Sequence, residues 1–163
     1  MPGLLGQDPP HRRAAELREA LTIWEASGHA ASLVTITVPH DLDDPALTAR
    51  RRPASRTEAH PGRWILAAAQ AAPPIVGHII ALGFTWADEN GSHPHYHVLL
   101  VHDQDLDGSA IAPLHGHIHS RLAVSCRGSG LRRPDQLHAV RIASNVSGAY
   151  LAKGGAWTTA EVA

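Results

Sequence analysis

The chain has 163 residues with 14 basic and 15 acidic side chains, a net charge of -1 and 44% hydrophobic content, enough for one core and too short for two full domains. Its single cysteine excludes an intramolecular disulfide framework, and no apolar run approaches the roughly 20 residues needed to cross a bilayer. With no charged-then-apolar leader at the start, a cytoplasmic protein without membrane partners is expected, and the near-neutral balance counts modestly against DNA binding, since proteins that grip phosphate backbones usually carry a basic excess.

Residues 1–10 hold three prolines and two glycines and read as a disordered lead-in, leaving residues 11–163 as one domain. Ala14, Leu17, Ala20, Leu21 and Trp24 recur at three- and four-residue steps, so residues 11–27 form an amphipathic helix that ends near Gly28. Ser-Leu-Val-Thr-Ile-Thr-Val over residues 32–38 alternates as a strand does, and Pro39 ends it. Residues 41–74 are rich in proline, arginine and alanine and form a connection, with a short helix around 64–72.

Residues 75–86 and 93–101 are apolar strands on either side of an Asn-Gly turn, which makes a hairpin. Residues 109–124 read as a helix, 128–135 as a loop and 136–142 as a short strand. A last helix spans 145–153, capped by Ser144 or Asn145 and stopped by Gly154 and Gly155. The order predicts an α+β fold: a central, largely antiparallel sheet with helices packed over it.

Chemistry concentrates in the histidines, of which there are 13. His93, His95 and His97 alternate on a predicted strand, so their imidazoles project from one face while Tyr96 projects from the other. Two neutral imidazoles on one face can hold a divalent metal with positions open for a phosphate oxygen. His93 is a flanking candidate. The bland alternative, an exposed strand face that carries histidines without using them, is weakened by their number. His115, His117 and His119 share the spacing but fall in a helix, where only His115 and His119 reach one side; a histidine-bearing helix face is the preferred reading there.

Tyr150 and Lys153 lie three apart on the last helix and share a face, placing a phenol beside a cation. A phenol titrates near pH 10, so attack at neutral pH needs electrostatic help from a cation or a metal-bound phosphate. Three motifs then stand in order: Thr35-Ile-Thr-Val-Pro-His40, His93-Pro-His-Tyr-His-Val-Leu-Leu100 and Tyr150-Leu-Ala-Lys153. Together they resemble the first motif, the histidine-hydrophobe-histidine metal motif and the tyrosine motif of plasmid rolling-circle replication initiators, within the HUH endonuclease superfamily and of the actinobacterial plasmid type.

That resemblance implies a fold of the HUH type, a ferredoxin- or RRM-like sandwich, and a replication initiator that nicks and rejoins single-stranded or cruciform plasmid origin DNA. His95 and His97 would bind Mg²⁺ or Mn²⁺, Tyr150 would form a 5′-phosphotyrosyl link and leave a 3′-hydroxyl primer, and Lys153 would offset the developing charge. His40 would flank the site, and host helicase and polymerase would be partners. The family's third ligand, a glutamate, aligns with Gly83, which has no side chain to offer. The site must therefore recruit Asp88, Glu89 or another group, accept extra water, or bind metal weakly. Family members commonly continue beyond the point where this sequence stops, so an origin-recognition region is expected either to be missing or to reside elsewhere.

Arginines cluster at Arg50, Arg51, Arg52 and Arg56, and again at Arg127, Arg132 and Arg133, as local patches for a DNA backbone or as solvated loop residues. Two other functions use the same residues. His-x-His-x-His also matches the histidine triad of nucleotide hydrolases and transferases, in which histidine is the nucleophile and no metal is used. A degenerate, non-catalytic DNA-binding remnant would keep the fold and lose the cutting.

Overall fold

Pro9 and Pro10 open the first helix rather than preceding it, so α1 (Pro9–Ala26) begins two residues earlier than the spacing predicts. A proline in the first turn gives up an N–H that has no helical acceptor there and arrives with its φ preset. In this computed structural model residues 9–39, 75–87, 91–128 and 130–147 are described; the predicted 64–72 helix lies outside them.

Helix α1 stops where Gly28 adopts φ 84° and its amide donates to the Glu25 carbonyl at 2.9 Å, a left-handed cap that a residue with a Cβ rarely adopts. The Trp24 indole N–H donates to the Ala30 carbonyl at 3.0 Å, and its ring stacks on His29 at 4.2 Å. These contacts fasten the end of α1 to the start of β1.

Four strands follow: β1 (Ala30–Thr37), β2 (Ile75–Ala87), β3 (Gly91–His102) and β4 (Val140–Ala143). They form one sheet in the order β2-β3-β1-β4, and every pairing is antiparallel. A second helix, α2 (Gly108–Gly128), precedes β4. Its N-terminus is capped by Asp107, whose Oδ1 accepts the Ala110 amide at 3.0 Å and the Ser109 hydroxyl at 2.6 Å. The fold is α+β.

Strand alternation sorts the core onto two faces. Val34, Ile36, Val98, Leu100 and Val140 face α2, which answers with Leu114, Ile118, Leu122 and Cys126, one stripe at four-residue spacing. Ala31, Leu33 and Leu99 project the other way and pack with Leu21 of α1 and with Val146. Fully burying each large apolar side chain contributes roughly 1.5–3 kcal/mol, so the α2 face, with the longer buried stripe, is the stronger anchor. At its far end Ser32 and His102 are fully buried. The serine hydroxyl donates to His102 Nε2 at 3.0 Å, and His102 Nδ1 donates to the Gln104 carbonyl, so this buried polar pair is hydrogen-bonded.

Two predicted elements differ. The strand expected over 136–142 is confined to β4, because Asp135 Oδ1 accepts the Leu137 and His138 amides, both at 2.8 Å, and so holds residues 136–138 in a turn. The helix expected over 145–153 does not start under a Ser144 or Asn145 cap, and its residues 148–153 lie outside the described ones. Asn145 sits at φ 53°, and Val146 continues non-helically, its amide donating to the Ala31 carbonyl at 2.7 Å. Among the described residues no helix is long and apolar enough to cross a membrane.

Candidate metal and phosphodiester site

The α1 face of the sheet is apolar at one end and polar at the other. Leu21 covers Ala31, Leu33 and Leu99, but two residues further along β1 the inward positions become Thr35 and Thr37. Across this polar end the register aligns two rows. One row reads Ala81, His97, Thr35, Arg141; the next reads Gly83, His95, Thr37. Because Ala143 packs in the α1-face core while Val140 and Ile142 belong to the α2-face core, Arg141 projects onto the same face as the histidines.

His95 and His97 thus stand side by side on β3, which has a partner strand on each side. Their ring centroids are 4.6 Å apart in an edge-on arrangement, and they are only 9% and 8% exposed. Imidazoles so placed are fixed by packing rather than free to rotate in solvent. Thr35 Oγ1 lies 3.3 Å from His97 Nδ1. With the proton on Nδ1, that nitrogen donates to the hydroxyl and the metal-binding lone pair is on Nε2, a second-layer contact of the kind that orients ligating histidines.

Tyr96, between the two, faces the opposite way and packs against the α2-face core, where burial raises its phenol above the usual tyrosine range. The chain has two tyrosines, and this geometry removes Tyr96 as a nucleophile toward anything held by the histidines.

The donor set suits one cation and partly specifies it. Two imidazoles fit Mn²⁺ or a softer divalent ion better than Mg²⁺, which prefers oxygen ligands. Among the described residues no third His, Cys, Asp or Glu completes a group of three. Gly83 is buried and pairs directly with His95, so the position aligned with the family's glutamate does adjoin the histidine pair and contributes no side chain. The described residues of these two rows carry one positive charge, Arg141, and no carboxylate.

The other sequence candidates fall as follows. His93 lies on the same strand as the pair, β3, where its backbone pairs with Thr85 of β2. Arg132 and Arg133 are exposed on the loop between α2 and β4 and line a cleft with Thr37, which places that cluster next to the polar end of the sheet. His40, Arg50, Arg51, Arg52, Asp88, Glu89, Tyr150 and Lys153 lie outside the described residues. The second histidine run helps to seat α2: His115 Nε2 donates to the Val140 carbonyl at 3.1 Å. The His115 and His119 rings lie nearly parallel with centroids 6.3 Å apart, and Nε2 of His117 and of His119 has no hydrogen-bond partner among the described residues. Arg141 was missed from sequence, although Val140 and Ile142 on either side already signalled its face.

No protein-family model matches the chain, and no curated protein matches it. Among solved structures it is similar to an amidase of the hydantoinase/carbamoylase family from Burkholderia multivorans, at 11% identity and TM-score 0.30, over 75% of this chain and 31% of that one. It is also similar to a protein assigned as an amidohydrolase/peptidase from Burkholderia cenocepacia, at 12% identity and TM-score 0.29, over 76% and 31%. The chain thus spans about a third of the length of these structures, and likeness at that level carries no argument about activity.

Proposed function

We propose that the protein is a replication initiator of the rolling-circle type, which nicks and rejoins single-stranded DNA through a phosphotyrosine intermediate. The observation that carries this reading is the pair of packed imidazoles, His95 and His97, on one sheet face beside Thr35, Thr37 and Arg141. A metal-assisted phosphodiester site needs such a set: two neutral nitrogens for a cation, hydroxyls for hydrogen bonds to phosphate oxygens, and a guanidinium for the anion's charge. When bound, a divalent cation held by His95 and His97 supplies Lewis-acid charge to the scissile phosphate.

The chain's own residues do the rest. The Tyr150 oxygen forms a bond to phosphorus as the bond from phosphorus to the 3′-oxygen breaks; the phenol gives up its proton to solvent and the leaving oxygen takes one. Lys153, three residues on from the tyrosine in sequence, offsets charge on the phenolate. Arg141 binds a non-bridging oxygen from the β4 side, and Thr35 keeps His97 in one tautomer. Support for Tyr150 comes from the removal of Tyr96, the other of the chain's two tyrosines. Mg²⁺ or Mn²⁺ as cofactor, origin DNA as substrate, host helicase and polymerase as partners and a cytoplasmic location follow from this reading.

The test is incubation of the protein with Mn²⁺ and the single-stranded DNA that flanks its own gene. A denaturant-resistant protein–DNA adduct that disappears in Tyr150→Phe supports the reading, and the absence of an adduct from wild-type protein refutes it. Gly83 beside His95 favours one second reading, a protein that binds the same DNA without cutting it; retained binding with no adduct would select it.

A further inference from the structure

We propose that the cleft at the C-terminal end of β1 holds one nucleotide of the strand that crosses the histidine site, with its phosphate on Arg133. This rests on the nucleic-acid reading above and extends it to where the flanking strand lies. The cleft has a volume of about 330 Å³, at the small end of ligand sites and suited to a single nucleotide rather than a duplex. Its apolar wall is Val38, Pro39 and Ala139; its basic side chains are Arg132, Arg133 and His138. A wall for sugar or base next to cations for phosphate is the chemistry of a nucleotide rather than of a bare anion.

Continuity with the histidine site is direct. Thr37 lines the cleft and is also the β1 partner of His95. The Thr37 amide donates to the Ala139 carbonyl at 2.8 Å, so the two sides of the cleft are tied by an extension of the β1–β4 ladder. The acid among the lining residues, Asp135, is committed to its own turn. Its Oδ1 accepts the Leu137 and His138 amides and the His138 ring Nδ1, each at 2.8 Å, and the two amides and the ring hold the carboxyl below the usual carboxylate range. The carboxyl therefore stays ionised, one negative charge against the guanidinium charges of Arg132 and Arg133, and Arg133 adds the cation that a backbone phosphate requires.

The full chain in EDTA, where no cutting competes, is titrated with fluorescent oligothymidylate while anisotropy is read over a range of salt. Arg133→Ala should weaken binding about fivefold and lower the slope of log Kd against log salt by about 0.7; Arg133→Lys should restore the slope. Neutral methylphosphonate linkages in the oligonucleotide should cost wild type more affinity than they cost Arg133→Ala. No binding by wild type, or an unchanged slope in a folded Arg133→Ala, overturns the proposal. So does thymidine monophosphate displacing the probe at concentrations equal to the oligonucleotide's own Kd, which would make this a site for free nucleotides. Loss of the slope effect alongside a normal Tyr150 adduct would remove the cleft alone, whereas an intact slope effect without any adduct would remove the nicking reading alone.

Discussion

Replacing Arg141 with glutamine keeps a hydrogen-bonding head, removes the charge and shortens the side chain by two heavy atoms. Arg141 and His97 flank Thr35 in one row of the sheet, and adjacent strands lie about 4.8 Å apart, so their Cα atoms are about 10 Å apart. An extended arginine spans much of that gap and brings its guanidinium within about 5 Å of a phosphate resting over the histidines. At 5 Å a unit charge contributes about 3 kcal/mol at an effective dielectric of 20 and less than about 1 kcal/mol in water. Arg141 is solvent-exposed, so the expected loss falls between these limits, about 1.5 kcal/mol, or roughly tenfold in rate. The assay is the single-turnover rate of covalent adduct formation on a labelled oligonucleotide at saturating Mn²⁺. Arg141→Lys should recover most of the rate, and the gap between wild type and Arg141→Gln should narrow as salt rises. A rate within twofold of wild type in a folded Arg141→Gln protein would refute the reasoning.

Gly83→Glu places a carboxylate in the register position beside His95, so calorimetry should record at least tenfold tighter Mn²⁺ binding and a new response to Mg²⁺; unchanged heats would show that the gap at Gly83 is not what limits the site. Thr35→Val removes the hydroxyl that faces His97 Nδ1 and should weaken Mn²⁺ about tenfold while leaving the thermal midpoint nearly unchanged, a loss of orientation rather than of fold. Burial lowers the His102 pKa, whereas the unfolded chain titrates near pH 6.5. The unfolded state therefore binds more protons below that pH, and stability is full above it and declines as pH falls toward the lowered folded value. Urea midpoints at pH 7.5 and 5.5 should differ in wild type and differ less in His102→Gln; an equal drop in both proteins would assign the effect to other groups.

Hydrophobic alternation was the readable part of this fold. It marked β1, the β2–β3 hairpin and the shared face of His95 and His97, because a strand with period two has no freedom about which side a residue takes. Helix α1 was readable from Leu17, Leu21 and Trp24 and from the glycine that stops it. The turn at 136–138 was hidden because Gln136, Leu137 and His138 pattern like a strand, and what overrides the pattern is one carboxylate, Asp135, bonding to amides two and three residues on. The path after β4 was hidden for a similar reason: Asn145 resembles a helix cap in sequence, yet left-handed backbone is also within asparagine's range. At the site, sequence spacing paired the histidines, but which β1 and β4 residues join them depends on strand order, and only the sheet brought Thr35, Thr37 and Arg141 alongside.

Because β3 lies between β1 and β2, the amides of residues 95–97 belong to a strand laddered on both sides, with no edge from which to fray. Local openings that release edge strands and loops would leave this segment untouched, so its amide protons should exchange only when the whole domain opens. The imidazole pair is thereby set in one of the slowly exchanging stretches of the described sheet, and whatever adapts to a ligand there must come to it from the surrounding loops.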